Sequence, residues 1–115
     1  MATAPKYSQK ALNVSGSVVT LITGVTAGVT QVSSIYFCNT NVSTNRTVTL
    51  LFSGTGANAA NEIMTIILTP RGTSGSTYLL QLANSPLIMI NQITLRAYQD
   101  TGTDVIVTCN YLEQT

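Results

Sequence analysis

The sequence predicts an all-β chain folded as a single antiparallel β-sandwich or jelly roll of seven to eight strands, preceded by an extended N-terminal arm. Three observations carry this expectation. The first is composition: 19 Thr, 10 Val and 9 Ile are stiff at χ1, which disfavours helices and suits a pleated surface. The second is pattern: short alternating stretches recur at intervals of about 8–14 residues, separated by turns rich in Gly, Pro and Asn. The third is size. At 115 residues and 12.2 kDa the chain has room for one core, with a folded surface of about 6,000 Å² against roughly 17,700 Å² unfolded. A disordered chain is excluded, because 44% of residues are hydrophobic and mean hydropathy is +0.29.

The elements follow in order. Residues 1–16, with Pro5, Lys6, Tyr7 and Lys10, show no sustained periodicity and read as an arm; the sandwich occupies 17–115. Ser17–Thr23 is a first strand, closed by Gly24 and the Thr26-Ala27-Gly28 turn. Val29–Asn39 carries bulk on both faces, with Val32, Ser34, Tyr36 and Cys38 on one and Ser33, Ile35 and Phe37 on the other. Arg46–Ser53 alternates cleanly, with Val48, Leu50 and Phe52 inward and Thr47, Thr49 and Leu51 outward. Residues 54–61 form a small-residue loop. Glu62–Leu68 has isoleucines at helical spacing (Ile63, Ile66, Ile67), but its length and β-branching favour a strand. Ser76–Leu82 turns Tyr78, Leu80 and Leu82 inward, and Leu87–Ile90 is a short apolar segment. Ile93–Gln99 separates Ile93, Leu95 and Ala97 from Thr94, Arg96 and Tyr98, and Asp104–Leu112 closes the domain.

Charge narrows the function classes. Charged residues are 8% of the chain and the net charge is +1, against about 25% charged in an average domain. That predicts neither a nucleic-acid surface nor a polybasic membrane patch. The 35 residues between Lys10 and Arg46 carry no charge, yet polar side chains interrupt them too often for a spanning helix of about 20 apolar residues. The start of the sequence lacks the basic and then apolar pattern of a secretory signal. With no histidine, the commonest acid–base and metal-binding side chain is missing, so an enzyme is not expected and no cofactor or metal is implied. Cys38 and Cys109 could bridge an early and a late strand, but without an export signal buried free thiols are favoured.

The short motifs have plain explanations. Asp100-Thr101-Gly102 matches the tripeptide of aspartic proteases, but Asp104 would add a second charge beside it, and a hairpin turn accounts for it better. Asp100 and Asp104 offer too few oxygens for calcium and read as a solvated turn. Gly54-Thr55-Gly56 lacks the remainder of a phosphate-binding loop. Arg46, Arg71 and Arg96 are isolated cations on loops or outward faces. They serve either solubility or planar pairing with carboxylates of a neighbouring subunit.

Dispersed positions carry a resemblance. Ile22-Thr23 leads to Ala27-Gly28, then to Val32…Ile35-Tyr36-Phe37-Cys38-Asn39 and Val48-Thr49-Leu50. Leu79-Leu80, Ser85-Pro86-Leu87, Gln92-Ile93…Arg96-Ala97, Val105-Ile106-Val107 and Glu113 follow. Over residues 20–113 this resembles small β-sandwich virion proteins of tailed bacteriophages, of the capsid decoration (cement), head-fibre or tail accessory type. Thr26 and Asn91 depart from it, standing where proline and a Gly-Asp turn are common. The resemblance implies a structural protein of the virion without catalytic residues. It would assemble in the host cytoplasm as a homo-oligomer, a trimer, that bridges major capsid subunits. The arm, with Lys6 and Tyr7, would then lie on a neighbour, and Tyr36, Leu51 and Tyr98, together with Arg46, Arg71 and Arg96, are the candidate contacts. A neck, tail or fibre component is the alternative, and a carbohydrate- or receptor-binding module is a reading from another class.

Overall fold

The computed structural model describes residues 3–53, 61–82, 84–90 and 93–115. The glycine-containing loop expected at 54–61 therefore lies, apart from Asn61, outside the described residues, as does Asn91. Among the described residues there are nine strands: β1 (Thr3–Ala11), β2 (Val19–Thr23), β3 (Val29–Asn39), β4 (Arg46–Phe52), β5 (Glu62–Leu68), β6 (Thr77–Gln81), β7 (Leu87–Ile90), β8 (Thr94–Gln99) and β9 (Val105–Gln114). All pairings are antiparallel. They form two sheets, the first ordered β1-β9-β3-β6 with β7 also on β3, the second β2-β8-β4-β5. The expected sandwich is thus present, and the surface of 6025 Å² matches the scaling estimate for a chain with one core.

The strand count exceeds the expectation by one because the arm is itself a strand. Thr3–Ala11 pairs residue by residue with Gln114–Ile106 of β9. Leu12, just beyond it, donates its N–H to Val105 O at 2.9 Å and sits in the core at 1% exposure. Residues 3–11 of the expected arm therefore lie on their own chain, as an edge of the first sheet. Pro5 and the two lysines hid this strand, and all three are tolerated because β1 is an edge.

Between the sheets lies one cluster that includes Leu21, Ile22, Val32, Ile35, Phe37, Val48, Leu50, Met89, Leu95, Ala97, Val105, Val107 and Cys109. The inward residues of β4 and β8 are those the alternation predicts. Strand β3 is different. Its register against β9 shifts between Val32 and Ser34, a β-bulge that inserts one residue and reverses the facing of all that follow. Thr30 and Val32 point inward before it, Ile35, Phe37 and Asn39 after it, all buried. The apparent bulk on both faces of this strand is one buried face read across a phase change.

Both cysteines are free. Cys38 is opposite Ile106 and Cys109 opposite Ile35 on the neighbouring strands β3 and β9. Ile35 is a core residue, so Cys109 faces the core and Cys38 the outside of the same sheet, which keeps the sulfurs apart. Burial pushes the Cys109 thiol up to about 12, outweighing the opposite influence of the nearby Ser8 hydroxyl.

Candidate interaction surface

Three of the nine charged residues, Arg46, Asp100 and Asp104, meet at one end of the sandwich. Arg46 opens β4 and is buried at 9% exposure. Its Nε donates to Asp104 Oδ1 at 2.8 Å and its Nη2 to Asp104 Oδ2 at 3.0 Å, while Nη1 donates to Thr101 Oγ1 at 2.8 Å. Asp104 also accepts from Asn41 Nδ2 at 2.9 Å and Gln99 Nε2 at 2.8 Å. Gln99, fully buried at the end of β8, takes the Val105 N–H at 3.0 Å. Asn39 Nδ2 donates to the carbonyls of Thr44 and Thr69, both at 3.0 Å. Three loops, after β3, β5 and β8, are stitched together this way. The Arg46 guanidinium, with Asn41 and Gln99, holds the Asp104 carboxyl well below the ordinary aspartate range. Among the described residues no buried side-chain polar atom lacks a partner. The planar pairing foreseen for Arg46 exists, but its carboxylate belongs to the same chain, so Arg46 is not an outward contact. Nor is Asp104 a solvated turn residue.

The 100–104 turn explains the Asp-Thr-Gly tripeptide. Asp100 N–H donates to Thr47 O at 3.0 Å, and its carboxylate accepts the Thr47 N–H at 3.1 Å. Gly102 holds φ +77, and a Cβ there would stand 3.1 Å from Arg46 Nη2. Glycine is required by backbone conformation and by the closeness of the guanidinium. Among the described residues no group of three or more Cys, Asp or Glu could hold a metal ion, and no helix is long and apolar enough to cross a membrane.

The outer face of the first sheet has the opposite character. The register of β1, β9, β3, β6 and β7 places on it the rows Tyr7-Asn110-Ser34-Gln81, Gln9-Thr108-Tyr36-Leu79, Ala11-Ile106-Cys38-Thr77 and Pro5-Leu112-Gln31-Ile88. Hydrogen bonds from Gln9 Nε2 to Thr108 Oγ1 (3.1 Å) and Asn110 Nδ2 to Ser34 Oγ (2.9 Å) tie neighbouring strands across it. Not one of these side chains is charged. Tyr7 is 74% exposed, Ile88 50%, and Tyr36 and Leu79 43% each. A shallow open hollow of about 500 Å³ lies among Ser33, Ser34, Leu79, Gln81 and Asn110.

The contacts expected from sequence thus separate. Tyr7 and Tyr36 share this face. Lys6 lies on the other side of β1, 3.9 Å from Glu113. Arg96 and Tyr98, half-buried, are on the outer face of the second sheet, and Arg71 is exposed in the loop after β5. Leu51 does point away from the core, opposite Arg96, yet it is fully buried and offers nothing to a partner. Leu79 and Ile88 were not foreseen as contacts. The alternation that turns Tyr78 and Leu80 inward turns Leu79 outward, so that signal was present in the sequence.

Fold and surface together define an all-β sandwich presenting one uncharged sheet face. Over 98% of its length it is similar to a chain in the acidic stable capsid structure of Helicobacter pylori bacteriophage KHP30, covering 87% of that chain with a TM-score of 0.60 and 12% identity. At that identity the likeness establishes a shared fold. An overlap with the structure of infectious bursal disease virus Gt strain (TM-score 0.32, 17% identity, 98% of this chain and 30% of that one) carries no argument. No family model and no curated protein matches the sequence.

Proposed function

We propose that this protein is a structural component of a virion, a capsid decoration (cement) protein that lays the outer face of its first sheet onto the shell. The observation that carries the reading is that face: built from five strands, free of charge, and set with exposed Tyr7, Tyr36, Leu79 and Ile88. Covering it strips water from few strongly hydrated groups, and identical copies packed side by side meet no like-charge repulsion there. The fold shared with a chain of a phage capsid structure supports the same reading. The role is one of shape rather than catalysis.

The test is binding of purified protein to expanded capsid shells, with heat resistance of the shells as a second readout. Wild type is expected to bind in hundreds of copies per particle and to raise the temperature at which shells break. Tyr36→Lys with Leu79→Lys, which puts charge in the middle of the face, is expected to bind at least tenfold more weakly, about 1.4 kcal/mol. Shells that do not bind wild type, or that gain no heat resistance from it, overturn the proposal. A dozen copies or fewer at one vertex transfer the protein to the neck or tail.

A further inference from the structure

The two sheets end in edges that are treated unequally. On the first sheet, β1 carries Pro5, Lys6 and Lys10, and the opposite edge is divided between the five-residue β6 and the four-residue β7. On the second, β2 has five residues, its register slips between Thr20 and Ile22, and β1 packs over it, with Ser8 Oγ donating to Leu21 O at 2.8 Å. Proline, lysine, shortness, bulges and cover are the recognised ways of stopping an edge from pairing with another chain. Strand β5 has little of this protection. Its seven residues, Glu-Ile-Met-Thr-Ile-Ile-Leu, include no Pro, Gly, Lys or Arg, its one charge is at its first position, and its one register shift lies at that same end.

Its unpaired groups can be located. Thr47 turns its N–H and C=O toward Asp100 on the β8 side, so the alternate residues Val48 and Leu50 turn theirs toward β5. Their partners there are Ile66 and Met64. Thr65 and Ile67, between and beyond them, direct their backbone N–H and C=O away from β4. Both residues are exposed, Ile67 to 66%, and among the described residues neither backbone has a partner on that side.

We propose that β5 pairs antiparallel with β5 of a second copy of this chain about a two-fold axis, joining two four-stranded sheets into one. The sequence is self-complementary in this register. With Ile66 on the axis, Thr65 of each copy stands opposite Ile67 of the other, and the two pairs exchange four backbone hydrogen bonds. The two Glu62 side chains fall at opposite ends. Each comes to the end where Arg71 of the other copy leaves its strand, so opposite charges meet; parallel pairing would set Glu62 against Glu62 instead. This inference does not rest on the virion reading.

The experiment is sedimentation equilibrium of the full chain over a range of concentrations. Wild type is expected to form a dimer. Ile67→Lys, which installs on an exposed position the guard that β1 already has, and Thr65→Pro, which removes an edge donor, are each expected to weaken it at least tenfold. Glu62→Arg should weaken it too, and adding Arg71→Glu should restore it. A wild type that stays monomeric, a trimer, or a dimer unaffected by Ile67→Lys overturns the inference. Circular dichroism of Ile67→Lys confirms that the monomer is folded. Shell binding separates the two proposals: Ile67→Lys keeps the charge-free face, whereas Tyr36→Lys with Leu79→Lys keeps the edge.

Discussion

The Arg46–Asp104 end and the outer face of the first sheet spend polarity in opposite ways. At the end, a guanidinium, a carboxylate and two amides are drawn together by mutual hydrogen bonds. On the face, hydroxyls, amides and apolar groups are spread over five strands without a charge. A chain with nine charged residues invests two of them in fastening loops to one another. The difference teaches that its low charge is not uniform dilution: Arg46 and Asp104 hold loops together, while the outer face of the first sheet carries no charge.

Breaking the fastened end should have the largest effect. Asp104→Ala leaves Arg46, Asn41 and Gln99 without their common acceptor. It is expected to cost roughly 2 kcal/mol after allowance for the part of the carboxylate that water reaches. Thermal unfolding should show this as a midpoint lower by about 10 °C. Tyr36→Lys, by contrast, should stay within about 0.5 kcal/mol of wild type.

Acid sharpens the same contrast. The folded-state pKa of Asp104 is depressed, so its contribution is complete above the ordinary aspartate value of 3.8 and disappears as pH falls below that value toward the folded one. The unfolding midpoint should therefore vary little on account of this group between pH about 7 and 5 and decline below about 4. Asp104→Asn should start lower and lose that part of the acid decline.

A smaller effect probes the thickness of the uncharged sheet. Cys38 lies on its outer side, half-buried, and Cys109 on its core side with its thiol pushed up to about 12. A thiol reagent at neutral pH should leave Cys109 unmodified until the protein is denatured, with any native labelling confined to Cys38. Mass spectrometry of digested protein distinguishes the two. Mild oxidation should produce no intramolecular bridge.

Alternation made the strands legible, since Val48, Leu50 and Phe52, or Leu95 and Ala97, repeat every second residue and need only one covered side to read correctly. It failed where one residue was inserted. Nothing in Val32-Ser33-Ser34 announces a bulge, and without it Ile35 and Val32 cannot both be core. It failed again at β1, whose Pro5, Lys6 and Lys10 are signs of a loop until a neighbouring strand is known to lie on one side only. For the candidate surface, Tyr7 and Tyr36 were recognisable as outward, but their shared face required the register through β9. Arg46 was noticed as a lone cation, while its partner is 58 residues away in the chain.

The sequence by itself determined the β class, the single core and the scarcity of charge, because propensity, period and composition are local and need no partner to be read. Only the tertiary structure decided which charges are buried, which side of β3 is inward, and which strand is left with an open edge. Those properties depend on pairing between residues distant along the chain, and strand register, which sets all three, is fixed by whole faces meeting rather than by any single segment.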